Sequence, residues 1–278
     1  MRVVIRGAGD LASGVALRLW RAGMDVVLLD VEKPTAIRRT VAFSEAIVHG
    51  KQTVEDVTAR LATAETAEET LAAGMIPVLV DPEGRSIPTL RPDALVDAIL
   101  AKRNLGTKIT DAPVVIGVGP GFTAGVDCHA VVETMRGHTL GRVIREGSAI
   151  PNTGIPGLIG GFAGERVLRA PAAGLFHPLR SIGDAVTEGE ILATVEGKPM
   201  AATLTGTLRG ILPEGTEVFP GMKAGDIDPR CQRSHCFTAS DKALAVGGGV
   251  LEAILALTGA LRETGIRRAG GEGEEDHG

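Results

Sequence analysis

The sequence predicts an α/β protein in which a parallel sheet is joined to a smaller β-rich region. Two observations carry this prediction. Short apolar runs alternate with helical segments through the first half of the chain, as in parallel sheets with helices on both faces. In the second half, a glycine and valine pattern recurs after 32 residues, which indicates a repeated structural unit. The chain has 278 residues, and this length favours about two domains.

The stretch Val3–Asp30 predicts a strand–loop–helix–strand unit with a Rossmann-like topology. The apolar runs Val3–Ile5 and Val26–Leu29 are expected to be strands, separated by a helix that Asp10 can cap. Helical segments between the later strands, such as Ala64–Ala73, continue the alternation. The later strands are expected at Val57–Leu61, Ile76–Val80, Leu95–Ile99, Val114–Val118 and Ala130–Thr134.

The glycine-rich loop after the first strand is the first candidate cofactor-binding feature. It has the sequence RGAGDLA, a variant of the GxGxxG dinucleotide fingerprint. Gly7 permits a tight turn, Gly9 lets a phosphate approach the backbone, and Ala12 allows close helix–strand packing. Asp30, 21 residues after Gly9, could accept hydrogen bonds from ribose hydroxyls, which favours NAD over NADP. Asp10 places negative charge in the same loop, so a loop kept for its turn alone stays open beside nucleotide binding.

Two further segments are candidates for binding phosphate. The loop GVGPGFTAGVD contains Gly119, Gly121 and Thr123, whose amides and hydroxyl could surround an anion. A tight turn that needs glycine is the alternative interpretation. The segment KPTAIRRT contains Arg38 and Arg39, which could hold phosphates bidentately. A solvated basic loop explains these two arginines equally well.

The cysteines suggest one candidate thiol and no metal site. Cys231, His235 and Cys236 form a C-x3-H-C cluster, which lacks the second pair of ligands of a typical zinc site. Cys236 is the candidate catalytic residue, because His235 beside it and Lys242 nearby could lower the pKa of its thiol. A buried structural cysteine is the alternative.

The segment 166–228 is predicted to be a β domain with an internal repeat. A Gly–Gly–Val–Gly set with spacings of 9, 3 and 3 begins at Gly174 and again at Gly206. This pattern resembles the barrel-sandwich hybrid of biotinyl and lipoyl carrier domains. Lys198 lies where that family has its carrier lysine, but its context EGKPM differs from the usual biotin and lipoyl sites. The predicted organisation is an α/β region 1–165, this β domain, a return segment 229–268 and a disordered acidic tail 269–278.

Composition and charge narrow the classes of function. The net charge of −5 does not favour nucleic-acid binding, which usually needs a basic patch. The apolar runs are too short to span a membrane, so no membrane association is expected. The first residues lack a signal-peptide pattern, and we therefore expect a cytoplasmic protein.

Several long stretches together resemble the accessory proteins of the selenium-dependent molybdenum hydroxylase system. The resemblance extends to about Leu261 and rests on VVIRGAGDLASGVALRL, EKPTAIRRTVAFSEAI, APVVIGVGPGFTAGVD, VVETMRGHTLGRVI, GSAIPNTGIPG and CFTASDKALAVGGGVLEAIL. It implies a maturation role, in which the protein helps to equip xanthine-dehydrogenase-like enzymes with labile selenium or sulfur at the molybdenum cofactor. The family-like motifs also include Lys102, Arg103, Glu133, Arg136, His138, Asn152, Thr153, Asp226, Asp228, Asp241 and Lys242.

Three functions follow as expectations. The first is a maturation factor that binds a nucleotide or a molybdopterin-type cofactor and works with a molybdenum hydroxylase or its maturation proteins. The second is an NAD-dependent oxidoreductase, and the third is a non-catalytic scaffold that docks a hydroxylase. The sequence leaves open which ligand is bound, whether a reaction is catalysed, and whether the chain forms a homo-oligomer.

Overall fold

The computed structural model describes residues 1–152, 154 and 160–260. Within these residues the chain has an α/β fold with one nine-stranded sheet, two four-stranded antiparallel sheets and five α-helices. The predicted acidic tail 269–278 lies outside the described residues, as does Leu261 at the end of the last predicted helix. The α/β class that the sequence predicts is therefore confirmed.

The large sheet contains the strands of the first half of the chain. These strands are β1 (Arg2–Arg6), β2 (Asp25–Asp30), β3 (Lys51–Val54), β4 (Val57–Leu61), β5 (Ile76–Val80), β6 (Ala94–Asp97), β7 (Val114–Val118), β8 (Ala130–Val132) and β9 (Val143–Ile144). The helices are α1 (Asp10–Arg21), α2 (Glu45–His49), α3 (Ala67–Ala72), α4 (Ile87–Leu90) and α5 (Asp241–Thr258).

The strand order of this sheet, β3-β4-β5-β2-β1-β6-β7-β8-β9, places β1 at its centre. On one side of β1 lie β2 and then β5, and on its other side lie β6 and then β7, which come later in the chain. The β1–β6 boundary is therefore a topological switch point, where ligands commonly bind in open α/β sheets.

The sheet is mixed, whereas the sequence predicts a parallel one. The pairs from β4 to β8 are parallel, but β3 pairs antiparallel with β4, and β9 pairs antiparallel with β8. Only Glu55 and Asp56 separate β3 from β4, and Glu55 has a φ of 57°. A two-residue connection can only reverse the chain, because a parallel crossover needs a dozen residues or more.

Helix α5 packs against α1 through closely approaching glycines. The apolar run Val250–Leu261 alone predicts a helix that begins after the triple glycine Gly247–Gly249. In the structure the helix begins earlier, because α5 starts at Asp241 and contains all three glycines. A Cβ on Gly249 would lie 2.1 Å from the carbonyl oxygen of Gly141, so this helix position has no room for a side chain.

The second half of the chain forms two small antiparallel sheets with orders β10-β17-β15-β12 and β14-β13-β11-β16. Their buried side chains form a hydrophobic core of their own, which includes Phe176, Leu192 and Ile227. The strands are β10 (Val167–Arg169), β11 (Gly174–Pro178), β12 (Ala185–Val186), β13 (Ile191–Val195), β14 (Lys198–Ala201), β15 (Gly206–Ile211), β16 (Thr216–Val218) and β17 (Lys223–Asp228).

The two copies of the repeat pair with each other, although β11 also pairs with β13 and β15 also pairs with β17. Gly174 lies opposite Val218 on β16, and Gly206 lies opposite Val186 on β12. The turn glycines of each copy also hydrogen-bond to the other copy. The amide of Gly183 donates to the Leu208 carbonyl, and the amide of Gly215 donates to the Phe176 carbonyl, both at 2.8 Å. From the first bond to the second, the donor moves forward by the repeat length and the acceptor moves back by it, so the two units interlock.

The segment after β2 connects the large sheet to the small sheets. The Ile211 amide on β15 donates to the Ile37 carbonyl at 2.8 Å, and Arg39 Nε donates to the Ile211 carbonyl at 3.0 Å. Gly210 has no space for a Cβ, which would lie 2.8 Å from the Ile37 oxygen. Among the helices of the described ranges, none combines the length and the hydrophobicity that crossing a membrane requires.

Candidate ligand-binding cleft

A cleft of about 530 Å³ lies where the large sheet meets the small sheets. On the sheet side it is lined by residues that follow β1, β6, β7 and β8, at the carboxyl edge of the parallel strands; these include Leu11, Leu100, Pro120 and Thr134. The remaining lining residues come mainly from β10, β15, β17 and the start of α5. The cleft thus lies at the switch point beside β1 and β6.

Positive charge dominates this cleft. Among the described lining residues are eight basic side chains and two carboxylates, although the whole chain has a net charge of −5. A concave surface with such an excess of one charge concentrates ligands of the opposite charge. The carboxylates belong to Asp10 and Asp226. The basic residues are Arg38, Lys102, Arg136, Arg166, Arg169, Arg209, Lys223 and Lys242.

Two helix N-termini add to the positive potential. Helix α1 begins at Asp10, and helix α5 begins one residue after Ser240; both residues line the cleft. Helix N-termini favour anions because their first amides and the helix dipole are positive. Lys242 lies in the first turn of α5, where burial and repulsion from Arg136 lower the pKa of its ammonium group.

The first glycine loop contributes to the cleft mainly through Asp10. Gly7 has a φ of 101°, and a Cβ there would lie 2.7 Å from the Ala98 oxygen, so this glycine permits close packing of β1 against the end of β6. Gly9, rather than Asp10, is the capping residue of α1, and a Cβ on Gly9 would meet open space. Ala12 is buried, as the predicted helix–strand packing requires.

Acidic side chains satisfy two amides of this loop. One Asp30 carboxylate oxygen accepts a hydrogen bond from the Ala8 amide at 2.8 Å, and Asp10 accepts one from the Leu11 amide at 2.9 Å. Burial raises the pKa of Asp30, against the lowering effect of its bonds to the Val31 and Ala8 amides. Asp30 is not among the described residues that line the cleft, and its carboxylate instead binds the amide of the glycine loop.

The two adjacent arginines after β2 have different roles. Arg38 is buried and lines the cleft, where its Nη1 lies 3.3 Å from Asp10 Oδ2. Arg39 turns away from the cleft, donates to the Ile211 carbonyl and lies 3.7 Å from Glu45 Oε2. The structure therefore does not bring them together as a double clamp on one phosphate, because of the two only Arg38 is among the described lining residues of the cleft.

The second glycine loop packs next to the cleft and contributes little of its lining. Gly119 and Gly121 have positive φ values of 79° and 113°, and a Cβ on Gly121 would lie 2.6 Å from Arg103 Cα. Of this loop, Pro120 lines the cleft. The Thr123 amide donates to Asp127 Oδ2 at 2.8 Å, so a side chain of the protein already occupies this place in the predicted anion nest.

The candidate thiol is buried. Cys236 has no exposed surface, and its Sγ lies 3.8 Å from the Leu208 carbonyl oxygen. Burial raises the pKa of this thiol, although the nearby Arg209 and Arg38 act in the opposite direction. These properties disfavour a thiolate nucleophile at Cys236. Among the described residues, no group of three or more His, Cys, Asp and Glu side chains is arranged to hold a metal ion.

Sequence reasoning missed the basic residues that the small sheets contribute. Arg166, Arg169, Arg209 and Lys223 all lie in the segment 166–228, which the sequence predicts to be a β domain. Arg209 carries a detectable signal, because it is a lone charge within GTLRGI, a strand that is buried along its whole length. Charged residues rarely lie in such a strand without a partner or a ligand.

Comparison with known proteins gives a relative without a described function. The chain is 56% identical over 256 residues to YqeB of Escherichia coli strain K12, a protein described as uncharacterized. The match covers 92% of this chain but 47% of YqeB, so the chain spans about half the length of that relative. No protein-family model matches the chain.

Two solved structures show a weak likeness. One is an aspartoacylase family protein from Mesorhizobium loti, with 12% identity and a TM-score of 0.26, covering 81% of this chain and 83% of that one. The other is the ectoine utilization protein EutE (DoeB) from Ruegeria pomeroyi, with 10% identity and a TM-score of 0.23, covering 81% and 85%. TM-scores this low carry no argument about fold or function.

Proposed function

We propose that the cleft binds a phosphate-bearing ligand of the size of a nucleotide or a molybdopterin-type cofactor. We further propose that the protein acts as an accessory factor in the maturation of molybdenum hydroxylases and aids insertion of sulfur or selenium. The observation that carries the ligand proposal is the set of eight basic side chains in one cleft of a chain with net negative charge. The hydroxylase part rests on the family resemblance of the sequence.

The size and place of the cleft support a small-molecule ligand. Its volume of about 530 Å³ lies within the range of ordinary ligand pockets. It lies beside β1 and β6, and the positive ends of α1 and α5 reach it. Phosphate groups match this surface because they accept charge-assisted hydrogen bonds from arginine and lysine.

The finer fold assignments belong to the same proposal. The order of strands around β1 supports a Rossmann-like unit in the first part of the chain. The exchanged pairing of the repeat copies supports a barrel-sandwich hybrid in the second part. In this interpretation a ligand bound by the Rossmann-like unit also contacts basic residues of the β domain. The predicted domain boundaries at 165 and 228 stay predictions.

The NAD-dependent oxidoreductase is a weaker candidate. Its strongest sequence feature is Asp30, which would hold the ribose of the cofactor. In the structure this carboxylate accepts from the Ala8 and Val31 amides of its own chain. The scaffold alternative needs no ligand, and it predicts that hydroxylase binding is independent of the charge of the cleft.

The proposal is tested by titrating the protein with ADP, NAD and the molybdopterin-type cofactor released from a purified hydroxylase, using calorimetry. The variant Arg169→Glu/Lys223→Glu reverses two exposed cleft charges that lie opposite each other on β10 and β17. We expect it to weaken binding on the order of 100-fold or more, because two charge-assisted contacts are lost and two repulsions are added.

The matched control is Lys51→Glu/Arg60→Glu. These residues are also opposite each other on paired strands, β3 and β4, and neither is among the described lining residues of the cleft. Both double variants change the net charge equally. If neither the nucleotides nor the cofactor bind the unmodified protein, or if both double variants weaken binding equally, the proposed ligand site is wrong.

A further inference from the structure

The cleft is lined by a buried arginine that has carboxylates nearby but none within hydrogen-bonding distance. Arg209 lies on β15, is 5% exposed, and lines the cleft. Its Nε has no hydrogen-bond partner among the described residues. The nearest carboxylate oxygens belong to Asp228 and Asp226, at 3.7 and 3.9 Å from Nη1, which is beyond hydrogen-bonding distance.

Both of these carboxylates are already engaged by other arginines. Asp226 accepts a hydrogen bond from Arg166 Nη2 at 2.8 Å. Asp228 accepts two from the Arg230 guanidinium, at 2.9 and 2.7 Å. Arg209 is therefore a third cation beside two satisfied ion pairs. A buried charge without a close partner is costly, and such sites in proteins are commonly completed by a ligand.

A second buried guanidinium, that of Arg38, lies close enough to Arg209 for its positive charge to lower the pKa of Arg209. The Cβ that Gly210 lacks would be 3.2 Å from Arg38 Cγ, so Arg38 passes directly beside the residue that follows Arg209. Arg38 is 7% exposed and also lines the cleft. Its Nη2 donates to the carbonyl oxygens of His235 and Thr238, at 3.2 and 3.4 Å, and its Nη1 donates to Asp10 Oδ2 at 3.3 Å, so Asp10 is its acidic partner in the cleft.

We infer that Arg209 and Arg38 form a subsite for a tetrahedral dianion, the phosphate end of the ligand. This inference rests on the proposed function for the source of that phosphate. Two guanidinium groups provide planar sets of donors that match phosphate oxygens. A dianion would supply the close hydrogen bonds that Asp226 and Asp228, at 3.9 and 3.7 Å, do not provide for Arg209. The rest of the ligand would extend toward the exposed basic residues at the mouth of the cleft.

The subsite is tested by calorimetric titration with inorganic pyrophosphate, ADP and adenosine in buffer free of phosphate and sulfate. The variants are Arg209→Gln and, as a surface control, Arg60→Gln. We expect Arg209→Gln to weaken binding of both pyrophosphate and ADP on the order of 10- to 100-fold, since a charge-assisted hydrogen bond contributes about one to two powers of ten. Adenosine, without phosphate, should bind weakly and with no dependence on Arg209.

A second variant and a thermal unfolding measurement test whether weaker binding by Arg209→Gln results from misfolding. Arg209→Lys keeps the charge but loses the planar donor set, so we expect intermediate binding of pyrophosphate. Thermal unfolding without ligand should show Arg209→Gln as stable as the unmodified protein or more stable, because it removes a buried charge that lacks a hydrogen bond. Added pyrophosphate should raise the melting temperature of the unmodified protein and leave that of Arg209→Gln nearly unchanged.

The possible outcomes distinguish failure of this subsite from failure of the proposed function. Equal ADP and pyrophosphate binding by Arg209→Gln and the unmodified protein overturns the subsite and leaves the proposed function standing. Pyrophosphate binding that depends on Arg209, without binding of nucleotides or molybdopterin-type cofactor, supports a site for a free oxyanion and overturns the proposed function. Absence of binding by all probes overturns both.

Discussion

At the scale of single residues, burial separates the three cysteines into two classes. Cys128 and Cys236 are buried, and burial raises the pKa of both thiols, to about 11 for Cys128. Cys231 is exposed. We expect brief alkylation of the native protein at neutral pH, followed by peptide mass spectrometry, to label Cys231 and spare the other two. Labelling of Cys236 as fast as Cys231 would restore the prediction of a reactive thiol.

The buried carboxylate of Asp228 should make stability depend on acid pH. Burial alone would raise its pKa, but hydrogen bonds from Arg230 outweigh this effect and lower the pKa to about 2. A depressed pKa contributes stability that is complete above the unfolded value near 4 and is lost as the pH falls toward 2. The contribution at neutral pH is about 2 kcal/mol.

We therefore expect Asp228→Asn to be less stable than the unmodified protein at pH 7 by about that amount, and to lose less stability between pH 4 and pH 2. Urea unfolding at several pH values measures both effects. Asp25→Asn, at an exposed position, is the control. A constant difference between Asp228→Asn and the unmodified protein across this range would show that Asp228 does not contribute through its charge.

At the scale of elements, the sequence predicts the bounds of several strands well and the structural role of the glycines in α5 less well. Three strands, Val57–Leu61, Ile76–Val80 and Val114–Val118, have the predicted bounds. The second and third are buried apolar runs that end before the turn residues Asp81 and Gly119. The strand predicted at Leu95–Ile99 ends instead at Asp97. Helix propensity places the triple glycine ahead of a helix at Val250, whereas the structure includes it in α5, where Gly249 packs against Gly141.

The glycines of α5 offer a direct test of this packing. A Cβ on Gly249 would collide with the Gly141 carbonyl, whereas a Cβ on the adjacent Gly248 would meet nothing within 4 Å. We expect Gly249→Ala to reduce the free energy of unfolding by about 1–3 kcal/mol through overpacking. Gly248→Ala should increase it by about 0.5–1 kcal/mol, because alanine is the better helix former. Chemical denaturation followed by circular dichroism distinguishes them.

Equal effects of the two substitutions would contradict the packing of α5 against the segment around Gly141. This packing matters for the cleft, because α5 carries Ser240 and Lys242 into its lining. The helix is held in place at its other contacts by α1, where a Cβ on Gly14 would lie 2.5 Å from Ala243 Cβ.

At the scale of the whole molecule, the cleft depends on two parts of the chain that are far apart in sequence. Asp10 and Arg38 come from the first forty residues, and Arg209 and Lys223 come from the repeat region. The sequence predicts each part, but periodicity and local motifs contain no information about how the parts dock. For this reason Arg38 was predicted and Arg209 was not.

The concentration of charge predicts a strong dependence of ligand binding on salt. Contacts to the exposed residues Lys102, Arg169 and Lys223 should be screened, whereas the contact to buried Arg209 should be screened less. We expect the affinity for ADP to fall several-fold between 50 and 500 mM NaCl, and Arg169→Glu/Lys223→Glu to show a shallower slope. An affinity independent of salt would indicate that the basic lining does not contact the ligand.

The most direct test of the phosphate-bearing ligand is native mass spectrometry of gently purified protein from molybdate- and selenite-supplied cells. The unmodified protein is predicted to retain an added mass whose fragments contain phosphate. That mass should be lost from Arg169→Glu/Lys223→Glu and kept by Lys51→Glu/Arg60→Glu. An apo mass for the unmodified protein, or the same added mass in both double variants, would contradict the assignment of the cleft as the ligand site.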